Sequence, residues 1–303
     1  MGLKPGERVA VIVDKPCRRI GESLFKVVED LGNEVFLVEI QPRRTHGEEP
    51  PAEVAAVMSS MDVVLCPTSK SMTHTDAKRN AQQKGVRVAT LPGVTEDMMI
   101  RCMNADYHKI AVLTNRLADL MEETSKIHVK APGGTDVSLP VRGRKALRSH
   151  GLFREKGTGG NLPTGEAFLA PLENESSGLV VVDGSMAGIG IVQEPIHITI
   201  ENGSAASITG GRDAEKLVEL LEIHGPLSRN VAEFGIGTND KAKITGVILE
   251  DEKVLGTIHI AFGDNVTMGG SVHVQSHLDG LVTFPSVWFD ETLIMKNGTV
   301  LLP

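Results

Sequence analysis

The spacing of apolar residues changes once along this chain, and the change calls for two different architectures. In the first third, short apolar runs at residues 8–13, 34–40, 62–66 and 86–90 alternate with stretches at 20–31, 52–61 and 73–84, where apolar residues recur at helical spacing. A further helical stretch, 95–102, follows the last run. Repeated strand-then-helix order predicts parallel strands covered by helices, a small doubly wound, flavodoxin-like α/β sheet. Its turns contain neither GxGxxG nor GxxxxGK[ST], so this part reads as scaffold and not as a nucleotide site.

After a helix expected at 107–124 the texture becomes β-branched and rich in glycine. Strands are expected at 126–130, 136–141, 178–182, 189–193, 196–200, 206–209, 243–250 and 257–262. A single helix at 212–224, closed by Gly225-Pro226, interrupts them, and Asn297-Gly298 is a hairpin signal. The expectation is a larger α+β, mostly antiparallel domain, giving domains 1–104 and 105–303. GSMAGIG, at 184–190, reads as two strands meeting, and the run 250–253 as a solvated hairpin.

Composition excludes several classes. With 303 residues and 41% apolar content the chain can bury a large core. Thirty-nine acidic residues against 31 basic give a net charge of −8, which disfavours nucleic acid as a partner. Cys17, Cys66 and Cys102 are scattered and outside any CxxC spacing, so neither a disulfide framework nor a thiolate zinc site is expected. No apolar run approaches the roughly 20 residues of a membrane helix. A cytoplasmic location is the expectation.

The chemistry concentrates in TIHIAFGDNVTMGGSVHVQSHLD, residues 257–279. His277 and Asp279 are two residues apart, so on a strand they share a face. His259 lies on the preceding apolar run, where an antiparallel neighbour brings its imidazole alongside. Glu166 in NLPTGEAFLAP and Glu233 in NVAEFGIGTN are isolated acids in apolar, glycine-rich settings, costly to bury unless a cation compensates them. Together these five donors suit two metals sharing a bridging carboxylate. Taken singly, each has a plainer reading: a core histidine, a His-carboxylate hydrogen bond, a turn acid. His197 is expected in the core, and His273 near the site without ligating or exposed.

NLPTGEAFLAP, EFGIGTN, EDEKVLGTIHIAFGDN and HLDG occur in an order that resembles the aminopeptidase T and aminopeptidase S family of metallopeptidases, the thermophilic metalloproteases. The resemblance implies a homodimer with a two-metal site at Glu166, Glu233, His259, His277 and Asp279. It further implies peptide substrates. The imidazole and carboxylate donors themselves suit Zn, Co or Mn, and Glu233, beside a bridging water, is the expected proton acceptor. Two departures stand out: the family tyrosine after the HIA motif is missing, Tyr107 being the sole tyrosine, and the chain enters its first strand where the family places a helix. The leading expectation is therefore a metallo-aminopeptidase. The alternative is a mononuclear non-haem Fe(II) ring-cleaving dioxygenase of the dihydroxypyridine type, similar to the same family, using His259, His277 and Asp279. A second alternative is a metal-binding protein without turnover.

Overall fold

The structure is a computed structural model, described over residues 1–302. The chain divides into two compact units: Met1–His108 with Gly151–Thr164, and Lys109–His150 with the chain from Gly165 onward. The segment 151–164 thus belongs with the first unit, a return that the strand-and-helix alternation does not reveal.

In the first unit, β1 (Val9–Asp14), β2 (Val35–Ile40), β3 (Val63–Thr68) and β4 (Arg87–Pro92) are parallel and run in the order β2-β1-β3-β4. The strand Gly159–Asn161 adds to β4, also parallel. β1 and β3 are buried along their whole length, as continuous Val/Ile/Leu runs in a parallel sheet require. Helix α1 (Arg18–Asp30) covers one face of the sheet, so closely that a Cβ at Gly21 would lie 2.0 Å from Val13 Cγ1. Helices α2 (Ala52–Ser59) and α3 (Asp76–Gln83) pack on Ala10, Ile12, Val64, Cys66 and Val88. A Thr75 hydroxyl accepting from the Lys78 amide caps α3.

The second unit packs two antiparallel sheets around a common core. Among the described residues, one sheet has eight strands and the other seven. The seven-stranded sheet runs Gly190–Ile191, Ser185–Met186, His277–Val282, Ile258–Gly263, Val231–Gly237, Glu166–Leu169, Leu147–Ser149. Helices Tyr107–Glu123 and Gly211–Glu222 contribute Leu117, Met121, Leu217 and Leu221 to the same core. The Asn297-Gly298 hairpin forms as its sequence demands, both residues having positive φ, 46° and 78°.

Three expectations are corrected. Residues 243–250 contain no strand; a short helix, Ile248–Asp251, ends the segment. The run 250–253 is not a solvated hairpin: Glu250, Asp251 and Lys253 are buried. The Glu250 carboxylate accepts from the Lys243 amide, and that of Asp251 from the Thr245 and Gly246 amides, so these acids hold the preceding loop closed. His197 is exposed, since strand alternation turns Ile196, Ile198 and Ile200 inward and leaves it outside.

Candidate metal centre

Strand parity builds the site. In the seven-stranded sheet Gly235 faces His259, Gly237 faces Glu166, Ala261 faces both Glu233 and Asp279, and Gly263 faces His277. Cross-strand partners point to the same side. One face therefore carries Glu166, Glu233, His259, His277 and Asp279 together with Gly235, Gly237, Ala261 and Gly263. The opposite face carries Ala167, Leu169, Phe234, Ile236, Ile258, Ile260, Phe262 and Val282, all in the core. In EFGIG and HIAFG, every second residue is either a functional side chain or one small enough to make room for it. A register shift between Val231 and Glu233 marks a bulge beside the Glu233 carboxylate.

All five sequence-derived donors converge. The Glu233 carboxylate lies between the two imidazoles, Oε1 at 3.2 Å from His259 Nε2 and Oε2 at 3.0 Å from His277 Nε2. His277 Nε2 is 3.6 Å from Asp279 Oδ1, and His259 Nε2 is 3.6 Å from Glu166 Oε2. His277 Nδ1 lies 2.8 Å from the Asp264 carbonyl oxygen. A carbonyl can only accept, so the Nδ1 proton is fixed there and Nε2 is directed at the carboxylates. His259 sits deep because position 235 has no side chain: a Cβ there would lie 2.0 Å from His259 Nε2.

Two further residues join the cluster. Lys253 Nζ donates to Glu166 Oε1 at 2.8 Å and also to Glu252. The sequence reading missed both, since an acid-rich EDEK run looks solvated; the signal available was Gly237, which lets the 253–254 backbone lie against the sheet. His273 is exposed, its Nδ1 2.9 Å from Asp264 Oδ2.

Electrostatics show what the cluster needs. Four carboxylates, Glu166, Glu233, Glu252 and Asp279, face one ammonium, so with neutral imidazoles the group carries excess negative charge in a buried setting. Burial alone would lower the His259 pKa, but the Glu233 hydrogen bond and the charges of Glu233, Glu166 and Asp279 raise it to about 9. His277 is likewise held well above its ordinary value, by Asp279 and Glu233 against burial. Burial pushes Glu166 up against the pull of Lys253, and pushes Glu252 to about 8. Glu233 goes the other way: hydrogen bonds from both histidines outweigh burial and hold its carboxyl well below the usual carboxylate range.

A divalent cation fits this site. Donor atoms from Glu233, His259 and Asp279 lie within 4.8 Å of one another, and His277 Nε2 adjoins two of these residues. Glu166 Oε2 is buried beside His259 without a hydrogen-bond partner, while its other oxygen accepts from Lys253. Imidazole and carboxylate donors suit Fe(II), Zn, Mn or Co.

This makes a pH prediction for metal-free protein. The folded-state pKa of His259, about 9, lies above its unfolded value of 6.5. Its stabilising contribution is thus full below pH 6.5 and is lost as pH rises through 9. Glu252, at about 8 instead of 4.5, has the same sign, its contribution being lost as pH rises through 8. Metal-free protein should therefore melt at a lower temperature at about pH 9 than at about pH 6, with His259 alone worth on the order of 3 kcal/mol. A divalent ion, which takes neutral imidazole, should flatten or reverse the trend and release protons on binding. Thermal melts with and without chelator check this; a metal-free melting temperature that rises with pH contradicts it.

The fold and site define a protein with a largely buried cluster of imidazoles and carboxylates on one face of an antiparallel sheet. Residues 1–302 match the family model for NicX, 2,5-dihydroxypyridine 5,6-dioxygenase. The chain belongs to that family. The curated 2,5-dihydroxypyridine 5,6-dioxygenase of Pseudomonas putida KT2440 is 23% identical over 245 residues, which is 77% of this chain and 69% of the relative. Among solved structures, the 2,5-dihydroxypyridine dioxygenase of P. putida KT2440 superposes with a TM-score of 0.83 at 20% identity, covering 98% of this chain and 92% of that one. AmpT from Thermus thermophilus superposes at 0.72 and 16% identity, covering 99% and 95%. These superpositions establish a shared fold.

The full-length family match overturns the aminopeptidase T assignment, and with it the hydrolase, aminopeptidase and protease readings and the peptide substrate. The resemblance was to motifs that build the sheet face, and AmpT has the same fold. No helix among the described residues is long and apolar enough to cross a membrane.

Proposed function

We propose that this chain is a ring-cleaving dioxygenase that opens 2,5-dihydroxypyridine, with one Fe(II) held by His259, His277 and Asp279. The observation that carries the reading is the family match over residues 1–302 in a chain whose neighbouring strands set two imidazoles and a carboxylate on one face. Two histidines and one carboxylate are the ligand type of non-haem Fe(II) oxygenases.

When bound, the iron supplies the one-electron chemistry through which dioxygen reacts with an organic ring. The protein's own residues do the rest. The Asp264 carbonyl holds the His277 tautomer, and Gly235 leaves space for His259. Glu233, whose carboxylate lies between the two imidazoles, adjoins the ligand set. In the overall reaction the bond between ring carbons 5 and 6 breaks and both atoms of O2 enter the product, as a carboxyl at carbon 5 and a formyl group on nitrogen. The ring supplies all four electrons, so no external reductant is consumed.

The test is an oxygen-electrode assay. Protein reconstituted anaerobically with Fe(II) should consume one O2 for each 2,5-dihydroxypyridine lost, and zinc-loaded protein none. Loss of neither ring absorbance nor oxygen with the iron-loaded protein would sink the proposal.

A further inference from the structure

Two donor clusters overlap at His259. One comprises Glu233, His259 and Asp279, the other Glu166, Glu252 and His259, and in each the donor atoms lie within 4.8 Å of one another. By geometry alone the face therefore offers two neighbouring cation positions.

The second cluster already contains an ammonium group. Lys253 Nζ lies 2.8 Å from Glu166 Oε1 and also contacts Glu252, and its side chain is 1% exposed. The fold puts it there. A Cβ at Gly237 would lie 2.2 Å from the Val254 carbonyl oxygen and 2.7 Å from the Lys253 carbonyl carbon, so the glycine is what lets this backbone approach the sheet. Asn239 then ties the segment down, its amide donating to the Lys253 carbonyl and its carbonyl accepting from the Leu255 amide. Gly237 pairs with Glu166, so the segment that crosses position 237 delivers its lysine to the Glu166 carboxylate.

We propose that Lys253 is a built-in cation occupying the position a second metal ion would take between Glu166 and Glu252, and that it limits the site to one ion per chain. This deepens the mononuclear reading above and rests on it. A divalent ion entering the Glu166, Glu252 and His259 cluster would meet an ammonium already bonded to two of its three donors. Like charges at such separation in a buried site repel strongly, so one must leave. The first cluster has no such ammonium and stays open to an ion. The paired-ion activation of water that amide hydrolysis would use is thereby closed off, while a single-ion site remains.

Metal counting tests this without reference to activity. Native protein and the variants Lys253→Gln, Lys253→Met and Lys253→Arg are loaded with excess Co(II), freed of unbound ion by gel filtration, and measured by elemental analysis alongside visible absorption. One cobalt per chain is expected for native protein and for Lys253→Arg, and two for Lys253→Gln and Lys253→Met, with a second absorption component. Lys253→Met refills the volume of the lysine stem and serves if the glutamine variant does not fold. A folded Lys253→Gln or Lys253→Met that still binds one ion overturns the proposal. So does a second ion in native protein at saturation, a result that needs no variant. No ion in native protein would instead overturn the ligand assignment on which the proposal rests.

Discussion

Replacing His277 by alanine is expected to abolish iron retention and to lower ring-cleaving turnover by at least about 10³-fold. The expectation follows from where His277 sits. It opens its strand, its side chain is 30% exposed, and it belongs to no core cluster, so its removal leaves no large cavity. What is lost is an imidazole whose Nδ1 is anchored on a backbone carbonyl and whose Nε2 faces Glu233 and Asp279. Removing one of three ligands opens the ion to exchange, and catalysis goes with it. Iron content and turnover of the purified variant check this; a variant that keeps full iron and near-native turnover excludes His277 from the ligand set.

The second large effect is expected from a single methyl group. In Gly235→Ala the added Cβ falls 2.0 Å from Nε2 and 2.2 Å from Cε1 of His259, closer than any contact can be. His259 is fully buried and has nowhere to retreat without disturbing Glu233 or Glu166. Overpacking should cost about 1–3 kcal/mol of stability, and misplacing a ligand should weaken metal affinity by roughly 10–100-fold or more. The two residues are coupled, so in a His259→Ala background the same glycine substitution should cost much less stability. Chemical denaturation of the four proteins measures the coupling; additive effects would show that Gly235 is not there to make room for the imidazole.

These predictions show how the site was legible and where legibility stopped. Helical spacing located α1, α2, α3 and the long helix Tyr107–Glu123 to within a few residues, because each buries one stripe against a sheet. Strand parity placed His277 with Asp279, and the structure brings Glu166, Glu233 and His259 to the same face. Parity could not reveal Lys253 and Glu252. The burial of Lys253 and its contact with Glu252 depend on a chain crossing over Gly237, a tertiary contact with no local signature, while EDEK by itself has the composition of a solvated turn. His197 was misplaced for a related reason: the alternation in PIHITI is clear, but which phase faces inward is set by the neighbouring sheet. Return of 151–164 to the first unit also depends on a pairing, that of Gly159–Asn161 with β4, which three short residues do not announce.

The aminopeptidase expectation failed for a physical reason of its own. EFGIG, HIAFG and HLD specify a face on which donors alternate with small residues, and the fold that carries it is shared with AmpT. Which chemistry the face performs depends on what else reaches it. Here a lysine reaches Glu166 and Glu252, and the sole tyrosine is Tyr107 in the long helix and not the residue expected after the HIA motif.

The most direct test of the central claim is the isotopic content of the product. Protein loaded with Fe(II) is given 2,5-dihydroxypyridine under an atmosphere of ¹⁸O₂, and the product is examined promptly by mass spectrometry. Ring cleavage by a dioxygenase predicts an open-chain product carrying both labelled atoms. An intact ring, or a product with no label, would contradict the account.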